Sequence, residues 1–229
     1  MMGAEEMGAE KRLAAESAAE LVQSGMTVGL GTGSTVGYFL PALARRKLSL
    51  RCVASSPETE RLARELGLAV EPFDRLKRLD LVIDGADQIT AGGWLNKGRG
   101  GAHTREKILA TAGDRFVVIA DSSKVLPFLR GPVPLELLEF GLPATLRLLE
   151  PVALRPAPRS PDGGVIADYK GRLTDPASLA AWLDSLPGVV GHGLFPPGLA
   201  AEALIARGRS VDRLLFARQR GHGIHDPCI

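Results

Sequence analysis

The chain has 229 residues, 45% of them apolar, enough to fill the core of one large domain or of a large and a smaller one. The 28 Lys and Arg against 26 Asp and Glu leave a net charge of +2, and the basic residues are scattered rather than gathered in a block. That balance asks for neither nucleic acid nor an anionic membrane as partner. The opening M-M-G-A-E-E-M-G-A-E-K-R has no basic segment followed by an apolar stretch, and no apolar run reaches the roughly 18 residues of a membrane-spanning helix. The expectation is a cytoplasmic protein. Cys52 and Cys228 stand far apart and are expected as unpaired thiols.

In chain order, Leu13, Ala14, Ala18, Leu21 and Val22 recur at helical spacing, so a helix is expected from Ala9 to Gln23, with Gly25 as its stop. A strand at Met26 to Leu30 leads through a glycine loop to a helix near Val36 to Arg46. A strand at Leu50 to Ala54 follows, and then a helix opened by a capping Ser56 with Pro57 at its first position and stopped by Gly67. Short apolar runs at Leu68 to Val70 and Leu79 to Ile83 precede a polar, glycine-rich loop that extends to Gly101. A helix near Thr104 to Ala112 and a strand at Arg115 to Ala120 complete an alternation that predicts a parallel sheet covered by helices on both faces.

From Pro127 the texture changes to Pro, Gly and short apolar runs. Strands are expected at Val133 to Leu138, Val152 to Leu154 and Val165 to Ala167, with an amphipathic helix at Ala177 to Leu186. The strand-like Ala201 to Ile205 returns to the first sheet. The fold class is therefore α/β: a Rossmann-like, parallel-sheet large domain (1–126 and 200–217) with an inserted smaller α+β domain (127–199). The aperiodic 218–229 is expected to be a loose tail, and its His222, His225 and Cys228 are read as solvent-facing rather than as metal ligands.

Three motifs carry chemistry. The first, G-L-G-T-G-S-T at Gly29 to Thr35, follows a strand but lacks the third glycine of a dinucleotide fingerprint, and no G-K-S or G-K-T follows. Its backbone N–H groups, freed by glycine, and the hydroxyls of Thr32, Ser34 and Thr35 at a helix start suit one compact phosphate; they suit a capped strand-to-helix turn as well. The second, L-D-L-V-I-D-G-A-D-Q-I at Leu79 to Ile89, ends a strand in Asp84 and Asp87, carboxylates that can hold sugar hydroxyls or close an Asx-type turn. The third, N-K-G-R-G-G-A-H-T-R-E-K at Asn96 to Lys107, brings Lys97 beside glycines and puts Glu106 in the first turn of a helix, where an acidic residue also complements the helix dipole. If the three converge on one sheet edge, they supply a phosphate cradle, two carboxylates, an amine and a base. Proton abstraction next to a carbonyl needs that set and demands no cofactor.

These stretches, with S-S-P-E-T-E, I-A-D-S-S-K, P-V-P-L-E-L and L-P-G-V-V-G-H-G-L-F, resemble in order and spacing the A-type ribose-5-phosphate isomerases, from about Lys11 to Leu215. The resemblance implies interconversion of D-ribose 5-phosphate and D-ribulose 5-phosphate through a cis-enediolate, the isomerase step of the non-oxidative pentose phosphate pathway, without metal or cofactor. It implies a homodimer or homotetramer, with the small domain at the oligomer interface. By position, Glu106 is implied as the base, with Asp84 and Lys97 handling the oxygens. Substrate contacts fall on Thr32, Gly33, Ser34 and Thr35; on Asp84, Gly85, Ala86 and Asp87; on Lys97, Gly98, Arg99 and Gly100; and on Lys124 and Lys11. Gln88 stands where the family usually has Glu, His103 where it has Leu or a similar residue, and S-P-D-G-G at Ser160 to Gly164 replaces one turn by another. A sugar-phosphate sensor of the same fold would need the cradle but not Glu106, and an amino-sugar phosphate deaminase would have a catalytic His and different loops.

Overall fold

The computed structural model describes residues 3–217; the segment expected to be a loose tail lies outside them. The chain runs α1 (Ala4–Ala19), β1 (Thr27–Leu30), α2 (Ser34–Arg45), β2 (Arg51–Ala54), α3 (Pro57–Glu65), β3 (Leu81–Gly85), β4 (Gln88–Thr90), β5 (Leu95–Asn96), α4 (His103–Ala112), β6 (Phe116–Asp121) and β7 (Val125–Leu126). It continues through β8 (Val133–Leu137), α5 (Leu142–Leu148), β9 (Val152–Leu154), β10 (Val165–Tyr169), α6 (Pro176–Ser185), β11 (Val189–His192), β12 (Leu194–Phe195), β13 (Glu202–Arg207) and β14 (Ser210–Leu215).

Six strands form the central sheet in the order β14-β13-β6-β3-β1-β2, parallel throughout except at the β14 edge. Its inner strands are buried on both faces, which is why they read as continuous apolar runs rather than as alternation. Leu81, Ile83, Val117 and Ile119 pack with α1 and α2 residues such as Ala14, Phe39 and Leu43. Val82, Phe116 and Val118 face the other way, onto Leu109 of α4 and onto Phe195. After β1 the chain crosses first to β2 and later returns to β3 on the opposite side of β1. The crevice of such a sheet opens between β1 and β3, at their carboxyl ends.

Two four-stranded sheets complete the molecule. One is ordered β11-β8-β10-β9 and encloses a core of Leu135, Leu137, Leu149, Ala167 and Leu183. The other is ordered β12-β5-β4-β7, and its β4 and β5 lie where the sequence reads as a polar loop. Its strands are only two or three residues long, and the buried Ile89 and Leu95 are too isolated to register as a period. Helix α1 starts five residues before the expected Ala9, with Glu5 and Glu6 in its first turn, where acidic residues favour a helix start. It also ends early, because Leu21 and Val22 N–H close tight turns onto Ala18 and Ala19 carbonyls. The short α5 and the charged edge strand β14 (S-V-D-R-L-L) were not foreseen either.

Candidate active site

The glycine loop after β1 has to be bare. A Cβ on Gly31 would lie 2.0 Å from the Asp84 carboxyl, and Gly33 sits at φ +110°, a region that side chains disfavour. The loop delivers the chain into α2, whose N-terminus has no side-chain cap, leaving its first N–H groups for a ligand. Two residues of S-S-P-E-T brace it from behind. Ser56 accepts from Thr59 N–H at 3.1 Å as the cap of α3. The Thr59 hydroxyl reaches the Gly31 carbonyl at 2.9 Å, and the Thr32 hydroxyl lies 2.9 Å from Ser56 Oγ and 3.0 Å from Thr59 Oγ1. In front, Lys11 Nζ donates to Ser34 Oγ at 3.0 Å. Its helix is anchored by the buried Glu10, whose carboxylate accepts from Ser122 N–H at 2.8 Å and Gly208 N–H at 2.7 Å.

Asp84 ends β3 beside this loop. One of its oxygens accepts from Thr32 N–H at 3.1 Å and Gly85 N–H at 2.7 Å, and the other lies 2.9 Å from Lys97 Nζ. Lys97 also donates to the Gly85 carbonyl and stands 3.1 Å from Glu106 Oε2. All three charged side chains are buried, with exposures of 2% for Asp84, 3% for Lys97 and 4% for Glu106. The Lys97 backbone is set separately, its N–H donating to the Gly193 carbonyl at 2.8 Å. At Gly193 a Cβ would fall 2.0 Å from the Lys97 carbonyl oxygen.

One ammonium therefore serves two buried carboxyls. Burial opposes the Lys97 charge, but Asp84 and Glu106 outweigh it and raise its pKa. Burial raises Asp84 against the pull of Lys97 and of the Gly85 and Thr32 N–H groups. Glu106 has fewer donors: burial, and then the Asp84 charge, push its carboxyl up to about 8, with Lys97 opposing. Asp84 has three donors for its carboxylate, and Glu106 has only the shared ammonium, so the two carboxyls are unequally stabilised as anions.

Above this trio lies a cavity of about 320 Å³. It is lined by Thr32, Gly33, Ser34 and Thr35 from the first loop, by Gly85, Ala86 and Asp87 from the second, and by Lys97, Gly98, Arg99 and Gly100 from the third. Lys11, Lys124 and Glu106 complete the lining, and Asp84 lies beneath it. Every residue anticipated from the sequence is thus brought together. Arg99 is 82% exposed, with its N–H donating to Asp87 at 3.1 Å. Gln88 takes no part in the carboxyl trio: its amide donates to the Arg130 carbonyl at 2.9 Å and accepts from Arg130 N–H at 2.7 Å, a two-way bond that a carboxylate could not make. His103 is fully buried behind Gly98, and burial, aided by the Lys107 charge, pushes its pKa down to about 3, so it packs as a neutral group. Among the described residues, no group of three or more His, Cys, Asp or Glu side chains is arranged to hold a metal ion.

Ser56, Thr59 and Glu10 support the site without having been foreseen. S-S-P-E-T announces a helix cap, but a hydroxyl's second use across the fold leaves no spacing to read.

A mostly parallel sheet with an uncapped helix N-terminus at its switch point, beside the buried cluster of Asp84, Lys97 and Glu106, has the features expected of a sugar-phosphate isomerase site. The family model for ribose 5-phosphate isomerase A (phosphoriboisomerase A) matches residues 51–210. Ribose-5-phosphate isomerase A of Caulobacter sp. (strain K31) is 44% identical over 221 residues, covering 90% of this chain and 97% of that protein. The crystal structure of ribose 5 phosphate isomerase A from Neisseria gonorrhoeae superposes with a TM-score of 0.88 at 29% identity, over 93% of this chain and 98% of that one. A D-ribose-5-phosphate isomerase solved in complex with phospho-erythronic acid gives 0.85 at 30% identity, over 93% and 100%. The chain belongs to the ribose 5-phosphate isomerase A family.

The charge arrangement sets a pH dependence. With Glu106 raised to about 8 partly by the Asp84 charge, kcat/KM falls as pH drops through that region, and Asp84→Asn moves this acid limb down by about one unit while lowering the plateau. A kcat/KM–pH profile of both proteins checks this; a limb that stays or moves up contradicts it.

Proposed function

We propose that Glu106 is the base of the isomerisation between D-ribose 5-phosphate and D-ribulose 5-phosphate, the reaction to which this family is devoted. The observation that carries the assignment is the single buried ammonium of Lys97, 2.9 Å from Asp84 and 3.1 Å from Glu106 at the floor of the cavity. The substrate's phosphate sits over the start of α2, held by backbone N–H groups, the hydroxyls of Ser34 and Thr35, and the ammoniums of Lys11 and Lys124. Its reactive carbons then lie over Glu106. The carboxylate takes the C2 proton; the released pair forms the C1–C2 double bond, and the C1 carbonyl oxygen becomes an oxyanion that Lys97 stabilises. The C2 hydroxyl loses its proton as its carbonyl forms, Asp84 serving transfer between the two oxygens, and Glu106 returns its proton to C1. The scheme uses no cofactor or metal.

Glu106→Gln keeps the shape and loses the base. Its kcat is expected to fall by about 10²- to 10⁴-fold, with KM changing by less than about threefold. Steady-state assays in both directions check this, and a variant turning over at the wild-type rate would remove Glu106 from the role.

We read residues 127–199 as a small domain through which copies of the chain associate. Large apolar side chains stand exposed on it, Phe140 at 92% and Phe128 at 63% among them. Light scattering is expected to give two or four times the 24.2 kDa chain mass; a mass of one chain would overturn this reading. No helix among the described residues is long and apolar enough to cross a membrane. A cytoplasmic site of action fits a charged substrate that membranes retain, and cell fractionation tests it.

A further inference from the structure

The geometry points to Arg155 and Asp168 as a positioning pair that shapes the substrate loop at Gly98–Gly100 from outside the cavity. The inference rests on reading that loop as a substrate contact. Arg155 directly follows β9 and prolongs its ladder, its N–H donating to the Ile166 carbonyl at 3.0 Å; Asp168 lies on β10. Two guanidinium nitrogens meet the carboxylate as a fork, Nε at 3.1 Å and Nη2 at 2.5 Å. The remaining nitrogen, Nη1, donates to the Gly98 and Arg99 carbonyls, each at 2.9 Å. Both side chains are less than one-fifth exposed, at 18% and 19%. Asp168 thus orients the guanidinium plane, and the plane orients two successive peptide groups.

Because peptide groups are planar and trans, drawing these two carbonyls toward Arg155 turns the N–H groups of Arg99 and Gly100 the other way. The Arg99 N–H meets Asp87, and Gly100 lies beside Thr32 in the cavity wall, where a Cβ would stand 3.7 Å from the Thr32 methyl. Lys97 does not depend on this pair, being held by Gly193, Asp84 and Glu106. The pair therefore acts on substrate binding and leaves the proton-transfer groups alone. A lysine at 155 could keep the charge, but a single ammonium cannot hold the carboxylate as a fork and also reach both carbonyls.

Arg155→Met, Arg155→Lys and Asp168→Asn in the full chain test this, with steady-state kinetics on ribose 5-phosphate and thermal melts. Arg155→Met is expected to raise KM about tenfold, leaving kcat within about twofold and the midpoint of the kcat/KM–pH profile unmoved. Arg155→Lys recovers only part of the loss, and Asp168→Asn gives a smaller rise in KM in the same direction. If Arg155→Met does not fold, the other two carry the test. An unchanged KM in the folded variants overturns the proposal, as does a fall in kcat at constant KM or a lowered melting point with wild-type kinetics. Failure of the base assignment would show instead in the kcat of Glu106→Gln, with these KM shifts intact.

Discussion

The site depends on the burial of Lys97 between two carboxyls. An ammonium withdrawn from water is tolerable only when its charge is matched and its hydrogens are used; Asp84 and Glu106 match the charge, and the Gly85 carbonyl accepts a hydrogen bond. The match is incomplete by design of the numbers: one positive charge faces two potential negative ones. The carboxyl with fewer donors, Glu106, has its pKa pushed up to about 8 by burial and the Asp84 charge. The base role proposed for it thus needs only the balance of charges in a dry place and no special property of the glutamate itself.

The rest of the fold can be understood as holding that trio still beneath a phosphate-sized opening. Close backbone approaches bring the chain together there: Gly31 against Asp84, Gly98 against His103 and Pro134, and Gly193 against the Lys97 carbonyl. Contacts outside the cavity brace the surrounding elements. Ser56 and Thr59 hold the first loop, Glu10 ties the helix bearing Lys11 to the carboxyl end of β6, and Arg105 of α4 pairs with Asp162 in the S-P-D-G-G turn, at 2.6 Å. The last contact links the helix carrying Glu106 to the sheet β11-β8-β10-β9, so the second layer of the molecule helps to orient the first.

Much of this was legible in the sequence because its causes are local. The buried central strands are apolar runs, the glycines mark where backbone must pass close, and Asp84, Lys97 and Glu106 stand at strand and helix ends, where such folds gather their ligand-binding groups. What was not legible is of two kinds. The strands β4, β5 and β12 are too short to show a period, and β14 carries Asp212 and Arg213 as an edge strand does. The supporting residues act across long sequence separations, as Arg155 does on Gly98, and nothing near Arg155 distinguishes it from any other arginine in a proline-rich stretch. Glu106 shows the gap from the other side: its place in a first helical turn fits a surface charge equally well, and only its burial against Lys97 separates the two.

That burial can be measured at the atom concerned. In Lys97→Met the one positive charge is gone, while both carboxyls remain in their dry setting. Carbon-13 NMR titration of the Glu106 carboxyl is expected to place its apparent pKa at least about one unit above that measured in the wild type, because Lys97 opposes the rise that burial causes. An unchanged or lower pKa in the folded variant would mean that Lys97 does not set the charge on Glu106, and would contradict the account.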